Sequence, residues 1–297
     1  MNFSADIKHQ FRYGSSIMKL LLVNVLLYLA QSVIYLIAYF SGSKEAFLNF
    51  VAKWFYASSD VNVLITKPWT IFTYMFLHDP TEIFHVISNM LYLYFFGRIL
   101  VDFFQQKKVY PLYLAGGLVG AFAFILAYNI FPVLSPFVGI PMVGASAAIM
   151  AIVLAAATLV PEYSVFMIFI GPVKLKYIAL VVIIIDMLSI PSEYNTGGHI
   201  AHLGGALTGF LYIRSYQKGR DWFSWWPRFE SKLSGLFEKK KPKVVYRNQQ
   251  AGPTSKKEND VNKQAKLDAI LDKIKASGYD SLSKAEKEFL FKISNEK

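Results

Sequence analysis

The side chains best suited to chemistry in this chain are few and sit in apolar surroundings. Of its 5 histidines, His78 and His85 flank the start of one apolar run, while His199 and His202 lie at the start of another. Asn89 is one helical turn beyond His85, Ser146 lies at the start of a third run, and Asp186 falls inside Val181–Ile190. Polar groups inside membrane-spanning segments are costly, which makes them default candidates for function. A serine becomes a nucleophile once a base takes its proton, histidines relay protons, and a pair at i, i+3 can share a metal. Each residue also has a plainer reading. A lone serine bonds back to a helix carbonyl, a lone histidine anchors a helix end at the interface, and a buried aspartate pairs structurally. No acidic third ligand adjoins His199 and His202 along the chain and no helical HExxH occurs, so no metal is expected. The absence of cysteine excludes thiolate nucleophiles, Fe–S clusters and disulfides.

The elements that must position these groups follow from composition. Of 297 residues, 54% are apolar and 17% charged, against roughly 25% charged in soluble domains. The apolar residues are bunched. The first run, Ile17–Phe40, exceeds the roughly 20 residues needed to cross a bilayer. It lacks a suitably placed small-residue cleavage site, so it reads as a span and not a removed signal peptide. Five further runs follow at Phe84–Leu100, Val109–Phe131, Gly144–Val160, Lys174–Ile190 and Ala201–Tyr216. The expected fold class is an all-α polytopic membrane protein with six transmembrane helices. With the N-terminus inside, the cytoplasmic side holds Lys8, Arg12, Lys19, Arg98, Lys107, Lys108, Lys174, Lys176, Arg214, Lys218 and Arg220. The other side holds Lys44, Lys53 and Lys67. The positive-inside rule then places both termini in the cytoplasm. The net charge of +11 is mostly this topology signal, and no nucleic-acid partner is expected. In this orientation every even-numbered span brings a polar group to the same external face.

Those groups fall within recognisable patterns. The runs Gly144-Ala145-Ser146-Ala147 and Ala201-His202-Leu203-Gly204-Gly205-Ala206-Leu207-Thr208-Gly209 resemble the GxSG and AHxxGxxxG motifs of the rhomboid intramembrane serine proteases. His85-Val86-Ile87-Ser88-Asn89 is similar to the family's HxxxN, and Trp69 with Thr73 to His78 resembles its first-loop pattern. The resemblance covers about Ile17–Tyr216. It implies a six-helix rhomboid-type bundle with a Ser146/His202 dyad and no acidic third member. His85, Asn89 and the backbone N–H of Ser146 would form the oxyanion hole. It also implies transmembrane protein substrates cut near their external end, and no cofactor. The same fold without activity would bind transmembrane segments instead. Gly144, Ala147, Gly205 and Gly209 would let the helices carrying Ser146 and His202 approach closely, as small-xxx-small patterns do. Three positions depart from the family. Ala147 stands for the glycine after the serine, placing a methyl where it crowds the oxyanion pocket. Thr70 stands for the arginine after Trp69, and Met150 for an aromatic one turn after the serine.

The rest of the chain is read more coarsely. Residues 41–83 form a long, aromatic external loop expected at the interface. Pro132–Val143, with three prolines, is a poor helix and reads as a loop dipping to membrane depth. The expected domains are a cytoplasmic N-terminus (1–16), the membrane domain (17–216), an interfacial segment and basic linker (217–257) and a cytoplasmic helical hairpin (258–297). In the hairpin, Gly278 ends the first helix and Ser283 with Glu286 forms a capping box for the second. Its apolar faces imply a cytoplasmic partner. The style of the chain, free of cysteine and with compact loops, points to a bacterial inner membrane.

Overall fold

The computed structural model describes residues 9–10, 14–192, 195–237 and 256–294. Six helices lie where the apolar runs predicted them: α1 (Ser16–Phe40), then, beyond the first loop, the helices Ile83–Phe103, Val109–Ile130, Ser146–Leu159, Leu175–Ser189 and Thr196–Gln217. Among the described residues, three segments, Ser16–Phe40, Ile83–Phe103 and Gln106–Ile130, are long and apolar enough to cross a membrane by length and composition. The other three differ in kind. Ser146–Leu159 has only 14 residues, about 21 Å of helix against a hydrocarbon core of about 30 Å. Leu175–Ser189 has 15, and Thr196–Gln217 carries glycines and two histidines in its first half.

The long first loop is ordered. It contains α2 (Lys44–Phe55), the strand β1 (Ala57–Ser58) and the short helices α3 (Val61–Thr66) and α4 (Thr70–Thr73). Trp54 and Trp69 stack with ring centroids 6.2 Å apart, Trp69 Nε1 donates to Trp54 O at 2.8 Å, and Lys67 lies over the Trp54 ring. Thr70, the departure from the family pattern, is buried and donates to Lys67 O. After α5 (Ile83–Phe103) and α6 (Val109–Ile130) comes the proline-containing segment. It is not helical in the main: a 3₁₀ turn at Ser135–Phe137 leads to β2 (Pro141–Met142), which pairs antiparallel with β1. This small sheet ties the first loop to the chain entering α7 (Ser146–Leu159).

The fold is therefore mostly helical rather than wholly so. A β-hairpin, β3 (Ser164–Met167) with β4 (Gly171–Lys174), occupies the turn before α8 (Leu175–Ser189), and periodicity did not reveal it. The last membrane-unit helices are α9 (Thr196–Gln217) and α10 (Trp226–Phe237). Lys108, one of the topology charges, is not solvated. It is 4% exposed, 2.5 Å from Asp221 and donates also to Phe223 O.

The core centres on α7. Ala147 to Val153 and Ala155 to Ala157 are all buried, packed by α5, α6, α8 and α9. The approach of α7 and α9 is closest. A Cβ added at Gly205 would lie 1.9 Å from Ala147 O, and one at Gly209 would lie 2.0 Å from Ala151 O. On the other side, an added Cβ at Gly120 of α6 would meet the Ala147 methyl at 2.7 Å and Ala201 O at 2.8 Å. Three helices thus touch backbone to backbone at one level. Outside, Leu29, Val33, Ile34, Leu36, Ile37 and Phe40 of α1 are exposed, as expected of a surface facing lipid.

The C-terminal unit has α11 (Lys256–Ser277) and α12 (Lys284–Ser294). The first begins earlier than its apolar spacing indicated. Gly278 ends it at φ +77°. The capping box forms: Ser283 N donates to Glu286 Oε2 at 2.7 Å, and Glu286 N donates to Ser283 Oγ at 3.4 Å. Lys273 Nζ pairs with Glu286 at 3.0 Å. The expected linker, up to Ser255, and the first residues of the expected N-terminal segment lie outside the described residues.

Because no atom of Ala147 O can yield without moving α7, Gly205→Ala is expected to destabilise the membrane unit. Overpacking of this kind costs on the order of 1–3 kcal/mol or more. Thermal unfolding in detergent should show a lower midpoint for Gly205→Ala than for wild type, and an unchanged midpoint would contradict the backbone contact.

Candidate active site

Each singled-out side chain is delivered by a different local device. Ser146 is the first residue of α7, so its backbone N–H and those of Ala147 and Ala148 precede the first intrahelical bond, Ile149 N to Ala145 O at 2.9 Å. These free donors and the helix dipole favour negative charge at that end. Gly144 precedes it at φ +127°, a conformation open to glycine and strained for other residues. An added Cβ there would lie 2.9 Å from His85 Cε1, 3.1 Å from His85 Nε2 and 3.7 Å from Ser146 Oγ. Glycine at 144 therefore brings the imidazole edge of His85 up to the serine. Gly144 N donates to Tyr74 O at 3.1 Å, while Tyr74 Oη donates to Gly117 O at 2.6 Å. The first loop is thereby clamped between the serine's lead-in and α6.

His85 and Asn89 lie one turn apart on α5, and the Asn89 amide donates to His85 O at 3.0 Å. His202 stands in the first half of α9. Ser146, His85, Asn89 and His202 all line one cavity of about 290 Å³, with Ser88, Tyr92, Ile149, Met150, Val182, Ile185, Asp186 and Asn195. A neighbouring cavity of about 470 Å³ shares His85, Ser146 and Asn195 with it and includes Asp79, Glu82 and Tyr128. The serine thus sits between a cavity with acidic loop residues and another whose wall is built from α5, α7 and α8. Ser146 Oγ has no hydrogen-bond partner among the described residues; catalytic contacts are commonly loose until substrate is bound.

Two expectations change. By sequence, Asp186 has a structural role and no acidic ligand is on offer near His199 and His202. Its Oδ1 instead accepts from His199 Nδ1 at 2.8 Å and from His202 Nδ1 at 2.9 Å. The acid comes from the preceding helix, which spacing along α9 could not show; its one sequence signal is a charged residue in an apolar span. The three ligand atoms lie within 4.8 Å of one another and are the one group of this kind found among the described residues. The two Nδ1–Oδ1 separations are of hydrogen-bond length. Ala147 is the second case. Its methyl is directed at Gly120 of α6 and is 2% exposed, so glycine at 120 accommodates the methyl expected to crowd the oxyanion pocket.

His78 is fully buried, neither ring nitrogen has a partner among the described residues, and its ring meets His85 edge-on at 5.5 Å. It follows the turn Tyr74–Phe76 in the first loop.

Comparison with known proteins bears on this arrangement. Residues 66–218 match the Rhomboid domain family, and residues 257–296 match a family of unknown function, DUF6576. The chain is 32% identical over 160 residues to RHOMBOID-like protein 12, mitochondrial, of Arabidopsis thaliana, covering 51% of this chain and 47% of that protein. It is 30% identical over 139 residues to Presenilin-associated rhomboid-like protein A, mitochondrial, of Danio rerio, covering 44% and 34%. Against Presenilin-associated rhomboid-like protein, mitochondrial, of Homo sapiens, identity is 26% over 161 residues, covering 54% and 40%. The chain spans about half or less of the length of these curated relatives. All three are named as mitochondrial, which runs against a bacterial inner membrane. What stands is an integral membrane protein.

Burial of His78, helped by the neighbouring His85, pushes its imidazole down from 6.5 to about 3. A depressed histidine contributes stability above its ordinary value and loses it as pH falls toward the folded one. At about 1.4 kcal/mol per unit, roughly 2 kcal/mol should be lost between pH 6.5 and pH 5. Thermal unfolding in detergent at pH 7 and pH 5 should show a larger drop for wild type than for His78→Gln. Equal drops would mean that His78 does not carry the acid sensitivity.

Proposed function

The chain belongs to the rhomboid family, and on that premise we propose that it is a serine endopeptidase that cleaves transmembrane segments of membrane proteins. The observation that carries this reading is the single cavity lined by Ser146, His202, His85 and Asn89, placed at the N-terminal end of a short, buried helix.

The steps follow from the groups present. His202 Nε2 takes the proton of Ser146 Oγ as that oxygen attacks the scissile carbonyl carbon. The carbonyl π electrons move to its oxygen, and a tetrahedral oxyanion forms. The oxyanion is met by the Ser146 N–H and by donors from His85 and Asn89. As it collapses, the C–N bond breaks and the departing nitrogen takes the proton from the His202 imidazolium, leaving an acyl-serine. Water then attacks in the same sense, giving its proton to His202, and collapse returns that proton to Ser146. Each oxyanion donor contributes roughly 3–4 kcal/mol. A helical substrate hides its carbonyls in backbone bonds, so substrates with a locally unstable segment are favoured.

The membrane setting belongs to this proposal. The six helices are taken to cross the bilayer with both termini cytoplasmic, and the short α7 then places Ser146 below the external surface. Water reaches it through the cavity that includes Asp79 and Glu82. The C-terminal unit is proposed to act as a cytoplasmic hairpin with its own partner. A binding protein for transmembrane segments is the second reading, which the same fold and cavity would serve without the chemical step.

An activity-based fluorophosphonate probe on purified protein in detergent separates the two. Wild type should be labelled, and Ser146→Ala and His202→Ala should not. Asn89→Ala should label or cleave about 10²–10³-fold more slowly. A folded wild type that never labels would favour the binding reading, and labelling that survives Ser146→Ala would reject Ser146 as the nucleophile.

A further inference from the structure

Asp186 is an expensive residue where it stands. It lies on α8, its side chain is 8% exposed, and its Oδ2 is buried without a partner among the described residues. Unpaired polar atoms in such surroundings carry the full desolvation cost, so a carboxylate half-satisfied at this depth calls for a reason. All of its described hydrogen bonds converge on Oδ1, which accepts from both histidines of α9. A carboxylate oxygen only accepts, so each histidine donates from Nδ1–H. That fixes the tautomer. The proton of His202 is held on Nδ1, and Nε2, on the opposite side of the ring, is left as the basic nitrogen. Met150, on the same cavity wall, has a thioether that cannot set a tautomer.

We propose that Asp186 is a positioning residue for His202: its Oδ1 accepts the Nδ1–H of His202, keeps Nε2 free to take the Ser146 proton, and stabilises the imidazolium while that proton is held. This rests on the Ser146/His202 reading and turns the expected dyad into a three-member chain. His199 is the second donor to the same oxygen. Its ring stands edge-on to His202 at 5.8 Å, so it anchors the carboxylate and limits where His202 can swing. No net proton leaves the carboxylate: the imidazolium forms and is discharged to the leaving nitrogen while the Nδ1–H stays on the histidine.

A plain structural pin between α8 and α9 would use the same contacts, and kinetics distinguish the two. Asp186→Asn keeps the size and can still accept one bond, but its amide can donate to Nδ1 and so favour the proton on Nε2. Cleavage of a transmembrane reporter in detergent should show kcat lowered about 10²-fold or more, with KM and unfolding temperature unchanged. Asp186→Glu should recover part of kcat. A pin would instead lower the unfolding temperature or raise KM with kcat kept. If Asp186→Asn retains wild-type kcat while Ser146→Ala is inactive, the inference fails and the nucleophile assignment survives. If Ser146→Ala cleaves as wild type does, the underlying reading fails. A second measurement needs no acid variant: NMR of ¹⁵N-histidine protein, with His202 assigned by its loss in His202→Ala, should show the proton on Nδ1. Wild-type protein with the His202 proton on Nε2 would overturn the proposal.

Discussion

The contact of α7 with α9 through bare backbone is the constraint from which the rest of the membrane unit follows. With only hydrogen at Gly205 and Gly209, the α9 chain reaches the carbonyls of Ala147 and Ala151. In lipid there is no hydrophobic drive between helices, so close van der Waals packing has to hold them together. The same approach sets the separation of two side chains one helix turn or less from the contact, Ser146 and His202. Gly120 extends the arrangement to α6 by admitting the Ala147 methyl. A small residue at any of these positions is therefore a statement about distance between helices, and through distance about the site.

A site built among apolar helices has to solve a second problem, which is to keep its few polar groups oriented. The structure does so by local clamps. Gly144 admits the His85 ring to the serine, Tyr74 holds the loop to both the serine's lead-in and α6, and Asp186 gathers His199 and His202. The β1–β2 pairing fastens the first loop to the chain that enters α7, so the loop forms part of the wall and does not merely connect spans. The shortness of α7 completes the design. It ends its free N–H groups at the cavity, where a developing negative charge can use them.

Much of this was legible along the chain because it depends on local rules. The apolar runs marked the six helices to within a few residues, except that the sixth begins earlier, at Thr196. Gly278 and the Ser283/Glu286 pair marked the hairpin turn. Small-residue spacing pointed to Gly205 and Gly209, and at both of these an added Cβ would meet the α7 backbone. The motifs placed Ser146, His202, His85 and Asn89 as candidates, and the structure brings them to one cavity.

What escaped the sequence were the short strands and several side-chain pairings between elements. The β3–β4 hairpin sits in what reads as an apolar turn, and β1 with β2 are two residues each, too short for any period to register. Lys108 reads as a topology charge and is in fact buried against Asp221. Asp186 shows why. Its residue type announces a buried charge, yet its partners depend on how α8 leans against α9, and that angle is set by packing across several helices. Composition, periodicity and motif spacing determined the class of protein and the candidates for its chemistry, because they are properties of one segment at a time. Only the tertiary structure decided which nitrogen of which histidine meets the carboxylate, since that is a distance between helices and no single segment contains it.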